Sequence, residues 1–167
     1  MAAGNTYVAL ATQTVSGTST ATVTLSSIAA TYTDLIIVIT GGSNGGSLRM
    51  QFNSDTGNNY SVTILAGTGS AANSTRQSTQ NAILIAGIYA GGTANSNSIT
   101  HIQNYSNATT YKTALSRNND AAGETNASVG LWRGTPAAIS TIAITAINGT
   151  GTWTNGSTIS LYGIAAA

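Results

Sequence analysis

Leu48-Arg49-Met50-Gln51-Phe52-Asn53-Ser54-Asp55-Thr56-Gly57-Asn58-Asn59-Tyr60-Ser61-Val62-Thr63-Ile64 holds two runs of strict alternation around a cluster of turn residues. Leu48, Met50 and Phe52 alternate with Arg49, Gln51 and Asn53, and Tyr60, Val62 and Ile64 alternate with Ser61 and Thr63. A period of two is that of a β-strand with one buried and one wet face. Between the runs, Asp55 to Asn59 supplies Gly and Asn, which tolerate the positive φ of tight turns.

The same pattern extends along the chain. Ala21-Thr22-Val23-Thr24-Leu25-Ser26 alternates cleanly, while Leu35-Ile36-Ile37-Val38-Ile39 is a short unbroken apolar run, the mark of a central strand covered on both sides. Further strands are expected at Tyr7 to Val15, Ala82 to Ile88, Ile99 to Tyr105, Tyr111 to Arg117, Ala127 to Trp132, Ile139 to Ile147 and Thr158 to Ile164. Gly41 to Gly46, Gly91 to Asn95 and Asn148 to Gly151 read as turns, and the unpatterned Gly67 to Gln80 and Asn118 to Asn126 as surface loops. The expected fold is all-β: one domain over residues 1–167, an antiparallel β-sandwich, jelly-roll-like, of about 8–11 strands, with residues 1–7 as an N-terminal arm.

Composition narrows the function. The chain has 167 residues, of which 41% are hydrophobic and only 5% charged, against about 25% charged in ordinary soluble proteins. With a formal net charge of +1 it lacks the high charge of a disordered chain. Its cations, Arg49, Arg76, Lys112, Arg117 and Arg133, stand singly, so no basic patch for nucleic acid is expected. No apolar run approaches the roughly 18 residues of a membrane-spanning helix, and Met1 to Thr6 lacks the basic and apolar regions of a secretory signal. There is no cysteine.

Catalysis has little to work with. His101 is the lone histidine, in Ile99-Thr100-His101-Ile102-Gln103-Asn104-Tyr105, and is expected on one face with Ile99 and Tyr105, hydrogen-bonded to a neighbour. No G-x-S-x-G elbow accompanies any serine that a triad with His101 would require. Asp120 and Glu124 would have to face each other to act as paired carboxylates, and neither their segment nor Asn53 to Asn58 has the spacing of a calcium loop. No enzyme activity, cofactor or metal is therefore expected. Seven tyrosines with Trp132 and Trp153 leave open stacking on sugar rings, although at strand spacing such residues more often build cores and interfaces.

Gly130-Leu131-Trp132-Arg133, Ala137-Ala138-Ile139-Ser140-Thr141-Ile142 and Gly151 to Ile164, which ends Gly156-Ser157-Thr158-Ile159-Ser160-Leu161-Tyr162-Gly163-Ile164, form a recognisable closing segment. It resembles that of small virion proteins of tailed phages, where an A-I-T-x-I strand precedes a G-S-T-x-S-L-Y-G-I ending. Tyr32 to Val38 and Ile102 to Tyr105 fit the same pattern, so the resemblance covers about half of the chain. It implies a jelly-roll-like fold and a place on a particle surface, as a capsid decoration (cement) protein bound to the major capsid protein, or as a receptor- or carbohydrate-binding fibre tip. The absence of a shaft, heptad or collagen-like segment favours decoration, and a threefold capsid position favours a homotrimer. The contact residues expected on this reading are an arm of Ala2, Ala3, Gly4, Asn5, Thr6 and Tyr7, together with Trp132, Arg133 and Trp153.

Overall fold

A computed structural model describes residues 6–44, 46–86, 96–119, 124–147 and 151–165. Among them are twelve strands and no helix: β1 (Tyr7–Thr14), β2 (Thr22–Leu25), β3 (Asp34–Gly41), β4 (Ser47–Phe52), β5 (Tyr60–Gly67), β6 (Ala72–Gln80), β7 (Ile83–Ala86), β8 (Ser96–Gln103), β9 (Lys112–Asn119), β10 (Thr125–Trp132), β11 (Ile142–Ile147) and β12 (Thr158–Ile164). All pair antiparallel, in an eight-stranded sheet ordered β1-β12-β3-β8-β9-β10-β5-β6 and a four-stranded sheet ordered β2-β11-β4-β7. The chain crosses repeatedly between layers, with β2, β4, β7 and β11 in one and the other eight strands in the second, which makes an antiparallel β-sandwich.

The turn after Phe52 shows how the sequence directs one such crossing. Asn53 and Ser54 have φ of 50° and 58°, so the chain leaves the small sheet and enters the large one at Tyr60 instead of closing a hairpin. Asn53 holds the corner: its Nδ2 donates to Ala138 O (2.8 Å), and its Oδ1 accepts from Ser140 N (2.9 Å) and Thr141 N (3.2 Å) at the entry to β11. Leu48, Met50 and Phe52, with Ile142 and Ile144 beside them, then face Leu35, Ile37 and Ile39 across the core.

Two readings of the sequence are corrected here. Gly67 to Gln80 is no loop: Thr68 to Ala71 make the turn, closed by Thr68 N on Ala71 O at 2.9 Å, and Ala72–Gln80 is the edge strand β6. Its residues are polar on both sides, as suits an exposed edge, so no periodicity betrays it. Of Asn118 to Asn126, Asn118 and Asn119 are likewise strand in β9 and Thr125 and Asn126 in β10, while 120–123 lies outside the described residues.

Two stretches far apart in the sequence, Tyr32 to Val38 and Gly156 to Ile164, meet in space. Asp34–Thr40 of β3 pairs with Thr158–Ile164 of β12, with Ile36 opposite Tyr162. A Cβ on Gly163 would lie 2.4 Å from Cγ of Tyr32, so the tyrosine ring packs directly on the glycine backbone.

Candidate functional site

Burial along β9 and β10 runs against the ordinary pattern. In β9, Ala114, Ser116 and Asn118 are buried and Leu115 and Arg117 exposed; in β10, Asn126, Ser128 and Gly130 are buried and Val129 is exposed. Over Ala114–Asn118 and Asn126–Gly130, small and polar side chains point inward while Leu115 and Val129 point out; only at the far end, with Trp132, does a large apolar side chain of these strands enter the core.

The cause is the close approach of β7. Ile83 is fully buried against Gly130, where an added Cβ would lie 2.3 Å from Ile83 Cγ2. Only small residues fit on that part of the inner face. Their polar groups are partly paired there, Thr100 with Ser116 (2.8 Å) and Asn118 Nδ2 with Ile85 O (3.2 Å).

Cross-strand register assembles the outer face. One row runs Tyr162, Ile36, His101, Leu115, Val129 across β12, β3, β8, β9 and β10. The next runs Val38, Ile99, Arg117, Ala127, Leu65 from β3 to β5, and Ile164 beside Tyr7 borders the first. Leu65, Leu115 and Tyr7 are 59%, 52% and 60% exposed, large values for such residues. A depression of about 510 Å³ lies in the β1 to β9 half, floored by Ile36, Val38, Ile99 and Leu115. Among the described residues, the unbroken run Leu35 to Ile39 thus has only one of its expected covers: Leu35, Ile37 and Ile39 lie in the core, whereas Ile36 and Val38 lie half-buried on this outer face.

His101 sits within the face. Its Nε2 is 2.9 Å from Asp34 Oδ2, while Asp34 Oδ1 accepts from Asn104 N at 2.7 Å. This is the neighbour-bonded histidine expected from the sequence. Tyr105 does not share its face, because Asn104 at φ 50° ends the alternation and turns the tyrosine inward, where its hydroxyl donates to Ala29 O.

The contact residues expected from the sequence fare unevenly. Trp132 is buried, edge-on to Phe52 (5.6 Å between ring centroids) and stacked on Tyr60 (6.4 Å), with its Nε1 donating to Asp55 Oδ2 at 2.7 Å. Trp153 is also buried, in an isolated bridge with Ser43. Both tryptophans are therefore core residues and present no ring to a partner. Arg133 is exposed just beyond β10. Tyr7 is no arm residue but opens β1, opposite Ile164, and Thr6 O accepts from Ala165 N (3.1 Å). Ala2, Ala3, Gly4 and Asn5 lie outside the described residues, as does Asp120 of the considered carboxylate pair.

Asp55 serves its turn. Its oxygens accept from Trp132 Nε1, Asn59 Nδ2 and Gly57 N. Burial works against its ionisation, but these hydrogen bonds outweigh burial and hold its pKa below the ordinary value. Next to it, burial pushes the Tyr60 hydroxyl up to about 12. Among the described residues no group of three or more His, Asp or Glu is gathered as metal ligands would be. The chain matches no protein-family model and no curated protein.

Proposed function

We propose that this chain is a non-enzymatic virion structural protein, a capsid decoration protein that binds the major capsid protein lattice through the outer face of its eight-stranded sheet. The observation that carries the reading is the inverted burial of β9 and β10. A chain whose sheet faced only water would carry its polar side chains outward; here Leu115, Val129 and Leu65 face outward beside Ile36, Val38 and Ile99. Apolar patches of this extent on soluble proteins mark interaction surfaces. The virion as the setting rests on the resemblance, whose closing stretch Gly156 to Ile164 and upstream stretch Tyr32 to Val38 are paired neighbours in the fold. The low charge suits dense packing of many copies, since few like charges are brought together.

Quantitative mass spectrometry of purified particles tests this. Hundreds of copies per particle are expected; a handful would place the protein in the tail or a fibre, and none would remove it from the virion. Sedimentation of the isolated protein at micromolar concentration is expected to show a trimer.

A further inference from the structure

A second site lies on the opposite side of the large sheet. There the inner face of β9, β10, β5 and β6 overhangs β7 and β4, leaving a cleft of about 210 Å³. Its walls are Asn118 of β9, Asn126 and Ser128 of β10, and Asn73, Thr75 and Gln77 of β6. Ile64 and Leu84 supply its apolar part, and Glu124 is the single charge among its described lining residues.

Two of these side chains each carry a buried polar atom without a partner. Ile85 O can only accept, so Asn118 must turn its Nδ2 toward it (3.2 Å) and offer its Oδ1 to Asn126 Nδ2 (3.2 Å). That chain fixes the Asn126 amide and leaves its Oδ1 without a donor. Ser128 Oγ has no partner either, and the two residues are only 8% and 3% exposed. Buried polar atoms of this kind are almost always satisfied, so the wall of the cleft carries unmet hydrogen-bonding capacity.

The lining defines the occupant. Amide and hydroxyl groups that both donate and accept match ligand hydroxyls, which do the same. No Lys or Arg is among the described residues that line the cleft, so they offer an anion no counter-charge, and Glu124 disfavours one further. The volume falls below the roughly 300–1,000 Å³ of sites for drug-sized ligands. Ile64 and Leu84 can meet the C–H face of a ring. We infer that this cleft binds a small neutral polyol of the size of one sugar ring, independently of the outer face.

The test is a ¹H–¹⁵N NMR titration of the full chain with D-glucose, D-galactose, D-mannose and N-acetyl-D-glucosamine in turn, in the presence of EDTA. At least one is expected to give saturable shifts at Asn126, Ser128 and Leu84, with a Kd on the order of millimolar, ordinary for one small ligand. Asn126→Leu should weaken that binding roughly tenfold or more, the scale of one lost buried hydrogen bond. Ser128→Ala provides the same test should Asn126→Leu fail to fold. Leu115→Asn, on the outer face, should leave the affinity unchanged, so failure here does not touch the capsid reading. Absence of saturable shifts with all four sugars would mean a cleft filled by water alone and would overturn the inference. So would shifts indifferent to both cleft variants, or shifts that appear only when calcium replaces EDTA.

Discussion

At the residue scale, Asp55 ties a turn to an aromatic cluster, and its removal should be felt in both. Without it, the buried Trp132 Nε1 loses its acceptor and the turn loses its bonds to Asn59 and Gly57. Hydrogen bonds to a charged group contribute about 2 kcal/mol, so Asp55→Ala should lower the melting temperature by about 6 °C. The pH dependence follows from the lowered pKa. A carboxylate whose folded pKa lies below its unfolded value, near 3.9, stabilises fully above that value and loses its contribution as pH falls through the folded pKa. Thermal melts from about pH 5 down to pH 2 should therefore show a steeper loss for the parent than for Asp55→Ala. Equal slopes would mean that the carboxylate is not what the turn and the indole depend on.

Gly130 offers a second test at the same scale. An alanine there puts Cβ 2.3 Å from Ile83 Cγ2, closer than atoms tolerate, and overpacking of this kind costs about 1–3 kcal/mol. Ile83→Ala alone leaves a cavity and costs about 2–5 kcal/mol. Combined, each change relieves part of the other's defect, so the double variant should be more stable than the sum of the single losses by at least ~1 kcal/mol. Denaturant melts of the four proteins measure that coupling.

At the scale of the element, β9 and β10 separate what stabilises the chain from what it presents. Leu115 is half exposed and belongs to the outer row, so Leu115→Asn should change stability by no more than about 0.5 kcal/mol while abolishing attachment to particles. Ser116→Leu should do the reverse of the first effect. It breaks the bond to Thr100 and overfills the space beneath β7, with an expected loss of about 2 kcal/mol by thermal melt. A large loss in Leu115→Asn with none in Ser116→Leu would mean that the strand faces are assigned backwards.

The strands best legible in the sequence are those whose inner face is apolar. Val23 and Leu25 and Leu48 to Phe52 alternate as a sandwich core requires and lie where their patterns put them, and Leu35, Ile37 and Ile39 of the apolar run join them in the core while Ile36 and Val38 do not. In β9 and β10 the pattern survives but its sense is reversed, because the space left by Ile83 is a tertiary fact that no local window contains. β6 is invisible for another reason: its stability comes from the ladder to β5, and neither side of it is buried enough to demand apolar residues. The tryptophans misled as contact residues, since size and aromaticity serve a core as well as an interface and only packing distinguishes them. The clearest hint of the outer face was the double-sided apolar run of β3, whose second cover the described part of this chain does not supply.

At the scale of the whole molecule, the outer face is large enough to hold a partner by itself. Eight strands at ~4.8 Å span about 34 Å, and strands of eight residues run about 27 Å, a face of roughly 900 Å². A stable interface takes about 800 Å² from each partner. The described charges on it are few: Arg117 and Arg76, with His101 and Asp34 already paired to each other. Exposed ion pairs contribute about 0–1 kcal/mol each and weaken with salt, whereas fully burying an exposed leucine contributes about 1.5–3 kcal/mol and completing the burial of the half-exposed Leu115 about half of that. Apolar contacts should therefore dominate attachment, and apolar burial is not screened. Particles washed in ~1 M NaCl, where the screening length is roughly 3 Å, should keep this protein, and mild guanidinium, which solvates apolar and peptide groups, should release it. Gels of sedimented particles read the result directly. Complete release by NaCl alone would transfer the dominant role to Arg117 and Arg76, and their substitution by glutamine should then prevent attachment at low salt as well.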